Sequence, residues 1–312
     1  MIETWMQALP HGITLSCRAA GQRGRPVLLF LHGFPEAAFV WDALLEHFAL
    51  PENGGYRCVA PNLRGYEKSS TPQDVKDYRA KFLVQDVLAL IDSECGTKTP
   101  LAALVAHDWG GAVAWNVANQ YPERLSRLAI INSPHPGTFL RELQCNPAQQ
   151  AASAYMNFLI QPTAEQDLSA NDFAVLFDFF TTQAAATPDS MAPAPGSHWL
   201  TADLRQQYRD VWQHGLTGGL NYYRASPLRP ARTGDAAAAA ISLPPQALCI
   251  NVPTLVIWGH KDHALLPALT VGLEHYIPEM KLVPLPEATH WVLHEQPERV
   301  RQELTAFLRS RP

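Results

Sequence analysis

The chain has 312 residues, enough to bury a full core as one large domain or as a domain carrying an insertion. It is 47% hydrophobic and 17% charged, a globular rather than a disordered composition. The formal net charge of -5 leaves no basic footprint for nucleic acid or an anionic membrane, and "MIETWMQALPHG" lacks the apolar run of a signal peptide or membrane anchor.

In chain order, Glu3–Pro10 and Ile13–Ala20 predict an antiparallel hairpin at a sheet edge. "VLLFLHG" (Val27–Gly33) is a near-continuous apolar run, expected of a strand buried on both faces. "FVWDALLEHFAL" predicts an amphipathic helix, and Tyr56–Gly65 a second buried strand. Leu101–Asp108 and Leu125–Pro134 are further strands, separated by a helix over Gly111–Tyr121. Pro253–Gly259 and Lys281–Glu287 end the series, each followed by a helical pattern. This alternation predicts a doubly wound, mostly parallel α/β sheet. Between Pro136 and Pro245 the alternation stops, and a helical, aromatic-rich stretch broken by proline-rich loops such as "MAPAPGSHW" takes over. The expected organisation is a core of residues 1–135 and 246–312 with a helical cap of residues 136–245. The low-complexity "DAAAAAISLPP" (Asp235–Pro245) is expected to connect cap to core and to carry no function.

Five scattered cysteines, Cys17, Cys58, Cys95, Cys145 and Cys249, form no CxxC pair. They are expected to be small buried thiols in a reducing compartment, with the cytoplasm as the default location. No motif calls for a metal or an organic cofactor, and monomer and homodimer both stay open.

Chemistry concentrates in four places. "VAHDWGGAVAW" has small residues two before, two after and three after Asp108. A nucleophile on a sharp strand-to-helix turn needs that spacing, because larger side chains would strike the strand and helix backbones. The helix N-terminus beneath the turn favours an ionised carboxylate. Read alone, Asp108 could equally be a helix cap. "HGFP" directly follows the first buried strand, where a hydrolase of this architecture takes one oxyanion-hole N–H. By position the two main-chain donors are Phe34 and Trp109. Asp262 then follows the strand "PTLVIWG", and His290 lies on the last loop before the final helix. The order nucleophile, acid, histidine is that of the α/β-hydrolase triad. His263, beside Asp262, is expected on exposed loop.

"HGFPE", "APNLRGYEKS", "VAHDWGGAVAW", "YPERLSRLAIINSPHP", "GHKD" and "ATHWVLHEQPE" together resemble the α/β-hydrolase-fold epoxide hydrolases of the soluble and bacterial type. The resemblance spans essentially the whole core and parts of the cap. It implies conversion of a small apolar epoxide and water to a vicinal diol through an alkyl ester on Asp108, hydrolysed by water that His290 and Asp262 activate. It also implies two cap tyrosines as donors to the ring oxygen. "YMNFLIQP" places Tyr155 seven residues before Pro162, matching the first, and "GLNYYRASPLRP" matches the second at Tyr223, with Tyr222 adjacent. The alternative with the same nucleophile is a haloalkane or haloacid dehalogenase. Fluoroacetate dehalogenases carry arginines one and four residues past the nucleophile, where this chain has Trp109 and Ala112. Many haloalkane dehalogenases have asparagine at the position of Phe34, and Trp109 itself fits either chemistry. A non-catalytic binding module is the third reading, opposed by the intact Asp108, Asp262 and His290. For the substrate cavity, Trp109 and Phe34 are candidates; "NDFAVLFDFFTT" reads first as core packing of a cap helix, with cavity lining by Phe177 and Phe180 as the functional alternative.

Overall fold

The computed structural model describes residues 1–181 and 197–310. Much of the proline-rich loop expected near "MAPAPGSHW" lies outside the described residues.

Eight strands form one sheet in the order β1-β2-β4-β3-β5-β6-β7-β8. They are β1 (Glu3–Ala8), β2 (Thr14–Ala20), β3 (Val27–Leu31), β4 (Arg57–Pro61), β5 (Ala103–His107), β6 (Leu128–Ile131), β7 (Thr254–Gly259) and β8 (Met280–Leu285). β1 and β2 make the expected edge hairpin, β2 meets β4 antiparallel, and the strands from β4 to β8 run parallel. β3, β4, β5, β6 and β7 are buried along their whole length, which is why they appear in the sequence as apolar runs, with Arg57, His107 and Thr254 at strand ends as the polar exceptions. Core helices α1 (Asp42–Ala49), α2 (Ala80–Cys95) and α3 (Asp108–Gln120) cover the two faces. The expected helix over residues 39–50 is a short 3-10 turn at Ala38–Trp41 leading into α1, and α3 begins at Asp108, three residues before the apolar periodicity starts.

Between β6 and β7 lies an inserted helical region: α4 (Pro136–Cys145), α5 (Pro147–Ala152), α6 (Tyr155–Leu159), α7 (Ala164–Thr181), α8 (Ala202–Trp212) and α9 (Thr217–Ala225). Within α7, Asn171, Asp172 and Phe173 adopt positive φ and break the helix. The chain closes with α10 (Val292–Glu295) and α11 (Pro297–Arg309).

The insertion docks on the core through buried polar anchors. Trp212 Nε1 donates to the Pro35 carbonyl (2.7 Å), Tyr222 Oη to the Arg64 carbonyl (3.0 Å) and Tyr208 Oη to Glu36 (2.9 Å). Gly218, at the start of α9, lies directly on Gly65 of the core, and a Cβ on either glycine would collide with the other's backbone. The cysteines depart from expectation: Cys17 and Cys58 are buried, but Cys95 is half-buried and Cys145 and Cys249 are exposed. All five are free thiols; Cys145 ends α4, and Cys249 lies in the connection leading to β7. Among the described residues, no helix is long and apolar enough to cross a membrane, and no cluster of His, Cys, Asp or Glu is arranged to hold a metal ion.

Candidate active site

Parallel β5 ends at His107 and turns at once into α3, which puts Asp108 at the turn with φ of +49°. A non-glycine residue accepts that left-handed backbone only where its surroundings enforce it. Here they do, because the turn is packed from three sides. A side chain at Gly33 would strike Asp108, one at Gly110 the Leu31 and His32 carbonyls, and one at Gly111 Ser133. Ser133 Oγ also donates to the Asp108 carbonyl (2.6 Å). The small residues read from the sequence are therefore steric requirements of the turn.

The two carboxylate oxygens of Asp108 have different partners. Oδ1 accepts the Phe34 main-chain N–H at 2.7 Å, while Oδ2 lies 3.7 Å from His290 Nε2. His290 Nδ1 faces Asp262 Oδ2 at 2.7 Å. Asp262, Asp108 and His290, far apart in the chain, thus converge at the ends of β7, β5 and β8. Asp262 is fully engaged: Oδ1 accepts the Ala264 and Leu265 N–H groups (2.9 and 2.8 Å), and Oδ2 accepts from Asn132 Nδ2 (2.8 Å) besides His290. Burial alone would raise its pKa, but His290 and these donors reverse that and hold it below the ordinary value. On His290, burial opposes the charge, yet Asp262 first and then Asp108 and Glu36 outweigh it and push the imidazole up to about 9.

Behind Asp108, Asp262 and His290 lies a second buried network that the sequence did not disclose. His107 Nε2 donates to the His290 carbonyl (3.0 Å), and its Nδ1 faces Glu36 Oε2 (3.1 Å). Glu36 Oε1 also meets His294 Nε2 (2.6 Å) and the Tyr208 hydroxyl. Burial would raise Glu36, but hydrogen bonds and charge from His107 and His294 drive it well below the carboxylate range. This network ties the His290 loop to β5, to the HGFPE turn and to the cap. Asn132 is a second missed residue. It donates to Asp262 and accepts the Gly259 N–H (2.9 Å), locking the ends of β6 and β7 together. The only trace of it in the sequence is a polar residue closing an otherwise apolar strand.

Tyr155 and Tyr223 come from α6 and α9 and face each other over Asp108, with ring centroids 6.2 Å apart. Burial, then the charge on Asp108, raises the Tyr155 hydroxyl far above its usual value, with the neighbouring Tyr223 pulling the other way. Tyr223 is raised likewise by burial, then by Tyr155 and Asp108, with the Trp109 ring beside it (5.0 Å) acting in the opposite direction. Tyr222, its neighbour in the sequence, also lines the cavity, but its hydroxyl donates to the Arg64 carbonyl. α9 is held in place by Arg224, which grips both oxygens of Glu165 (2.6 and 2.7 Å).

A cavity of about 310 Å³ opens above Asp108 and is lined there by Trp109, Tyr155, Tyr222 and Tyr223. Of the other cavity candidates, Phe34 faces Tyr223 edge-on but contributes to the site through its main chain. Phe177 and Phe180 do not line this cavity. They pack on Trp212 at 4.9 and 6.1 Å, and Phe180 also on Trp291 at 4.4 Å, so their apolar surface is spent on cap packing. His263, expected as exposed, is half-buried beside Asp262.

Comparison with known proteins bears on the fold and the family. Residues 26–297 match the family described as alpha/beta hydrolase fold. The chain is 33% identical to the AB hydrolase superfamily protein YfhM of Bacillus subtilis over 96% of each chain. It is 32% identical to human Epoxide hydrolase 4, covering 96% of this chain and 76% of that one. Among solved structures, an epoxide hydrolase from hot-environment metagenomes superposes with a TM-score of 0.82 at 35% identity over 100% of both chains. The Bacillus megaterium epoxide hydrolase in complex with an inhibitor gives 0.82 at 30% identity, over 98% of this chain and 100% of that one. With the sheet order, the elbow and the inserted helices in place, the chain belongs to the α/β-hydrolase fold family and is homologous to its epoxide hydrolases.

Proposed function

We propose that this protein is an epoxide hydrolase that opens an epoxide to a vicinal diol through a covalent ester on Asp108. The observation that carries this reading is the pair of cap hydroxyls, Tyr155 and Tyr223, held protonated by burial and facing each other over the Asp108 carboxylate. An epoxide oxygen stays on the carbon skeleton and gains negative charge as the ring opens, so it needs O–H donors at that place. Asp108 Oδ2 attacks one ring carbon, the C–O bond breaks, and its electrons pass to the oxygen under the tyrosines.

The charges support the same cycle. In the resting protein His290, pushed to about 9, is an imidazolium at neutral pH opposite the Asp108 carboxylate. Esterification removes the Asp108 charge and with it part of what holds that proton. The proton released by His290 then balances the charge on the opened oxygen, leaving neutral His290 as the base for water. Water adds to the ester carbonyl, whose oxygen the Phe34 N–H, already donating to Asp108 Oδ1, stabilises in this reading together with the Trp109 N–H. Collapse frees the diol and restores Asp108 carboxylate and His290 imidazolium, so protons balance over the cycle. Localisation in the cytoplasm and the absence of a cofactor belong to this proposal, as do the cap boundaries at residues 136 and 245.

Dehalogenation uses the same nucleophile but needs N–H donors free for halide. The Trp109 ring packs edge-on against Tyr223 (5.0 Å) and fits either chemistry, so the O–H donors Tyr155 and Tyr223 carry the distinction. The test is parallel assay of styrene oxide and of 1-chlorohexane with a halide electrode. Diol formation that falls at least a hundredfold in both Tyr155→Phe and Tyr223→Phe supports the reading. Halide release insensitive to both substitutions, with no epoxide opened, contradicts it.

A further inference from the structure

Gln149, on α5, is completely buried yet does not line the cavity over Asp108. An amide shut away from water is costly unless its polar atoms are paired, and here all of them are. Nε2 donates to the Ala264 carbonyl (2.7 Å) and to Ser153 Oγ (2.8 Å), while Oε1 accepts the Leu266 N–H (3.0 Å). Two of these bonds leave the inserted helices for the loop that carries Asp262. That loop is gripped at consecutive residues. Asp262 Oδ1 takes the Ala264 and Leu265 N–H groups, Trp258 Nε1 donates to the Leu265 carbonyl (3.2 Å), and Gln149 holds the groups on either side. The third bond runs the other way. Ser153 joins α5 to α6; its N–H donates to the Gln149 carbonyl (2.9 Å), and its own carbonyl accepts from Met156, next to Tyr155 (3.1 Å).

We infer that Gln149 is a positioning residue that fixes Tyr155 and Asp262 at one spacing, so that a single placement of the inserted helices serves both ring opening and ester hydrolysis. The inference rests on the proposed epoxide hydrolysis. Without the amide, the loop end of this bridge loses two bonds and the α6 end loses one. Asp262 then orients His290 less firmly, and Tyr155 is free to shift over Asp108. A displacement of about 1 Å in either place costs up to about a hundredfold in rate. Methionine has similar length and bulk, so packing alone does not call for an amide. What the polar side chain adds is direction, because a fully paired buried group admits one arrangement of its partners.

The experiment compares the parent protein, Gln149→Met and Ser153→Ala at saturating styrene oxide. Rapid quench with intact-protein mass spectrometry gives the steady fraction of protein that carries the ester. Dividing kcat by that fraction yields the rate constant for ester hydrolysis, and dividing kcat by the unesterified fraction yields that for ring opening. Thermal unfolding is followed alongside, because a loss of stability alone moves neither constant per folded molecule. Gln149→Met is expected to lower both constants by about tenfold or more. Ser153→Ala keeps both bonds to the Asp262 loop and removes only the arm toward α6. Ring opening should therefore fall by about threefold or more, with ester hydrolysis within about twofold of the parent. This variant decides the question alone if Gln149→Met does not fold. Either constant staying within about twofold of the parent in folded Gln149→Met, or ring opening unchanged in Ser153→Ala, overturns the positioning role and leaves epoxide hydrolysis standing. Neither ester nor diol from the parent protein overturns the epoxide-hydrolase reading itself, and the positioning role with it.

Discussion

Replacing Asp262 by asparagine separates the two chemical steps. Both oxygens of Asp262 are acceptors, taking two main-chain N–H groups on one side and His290 and Asn132 on the other, all within 2.9 Å. An asparagine must turn its amide nitrogen toward one pair. Facing Ala264 and Leu265, it leaves two buried N–H groups unpaired, at about 1–3 kcal/mol each. Facing His290, it forces the imidazole to bare Nδ1 and carry its proton on Nε2, the atom that must accept from water. The orientation that spares the backbone is therefore the one that disables the base. A tautomer error of this kind costs about 10⁴ in rate in the serine-protease triad, and ester hydrolysis should fall here by about 10³–10⁴. Alkylation needs Asp108 and the tyrosines but not His290 as a base, so it should fall much less. Rapid quench with intact-protein mass spectrometry should then show a near-stoichiometric adduct of substrate mass on Asp262→Asn. Turnover within tenfold of the parent and no adduct would refute the assignment of Asp262 and His290 to the second step.

Removing one hydroxyl, in Tyr155→Phe or Tyr223→Phe, should slow ring opening by about 10²–10³, the usual effect of losing one oxyanion donor; the double variant, read by single-turnover kinetics, should lose less than the product of the two. Gly218→Ala should drive α9 off Gly65 and misplace Tyr223, at about 1–3 kcal/mol of overpacking; thermal unfolding and ring-opening rate should both register it. His290, raised from 6.5 to about 9 in the fold, contributes stability that is complete below pH 6.5 and lost as pH rises through 9. Denaturant unfolding of the free protein should show that decline, and Asp262→Asn should flatten it.

How far these features were legible in the sequence depends on the range of the interactions that produce them. β3, β5 and β7 could be read because a strand buried on both faces must be apolar along its length. The elbow could be read because steric exclusion acts on adjacent residues, which made Gly110 and Gly111 diagnostic. The convergence of Asp108, Asp262 and His290 was legible because each follows the end of a parallel strand. The Glu36–His107–His294–Tyr208 network was not, since it joins residues 71 to 258 positions apart and none of them has a local pattern. Phe177 and Phe180 illustrate a second limit: a phenylalanine run specifies burial but not the partner, and cap packing claimed both. The Asp235–Pro245 connection was overlooked because low complexity says nothing about what a segment lies against; its Ile241 and Leu243 wall the cavity.

Most direct for the covalent route is the fate of water oxygen at Asp108. The protein would be incubated in 18O-water with excess epoxide for many turnovers, digested, and the peptide containing Asp108 weighed by mass spectrometry. If water attacks the ester carbonyl, 18O enters the Asp108 carboxylate, and the diol from a first single turnover carries the unlabelled oxygen of the enzyme. Label found in the first-turnover diol, with none in the Asp108 peptide after many cycles, would mean that water attacks the epoxide directly and would contradict the account.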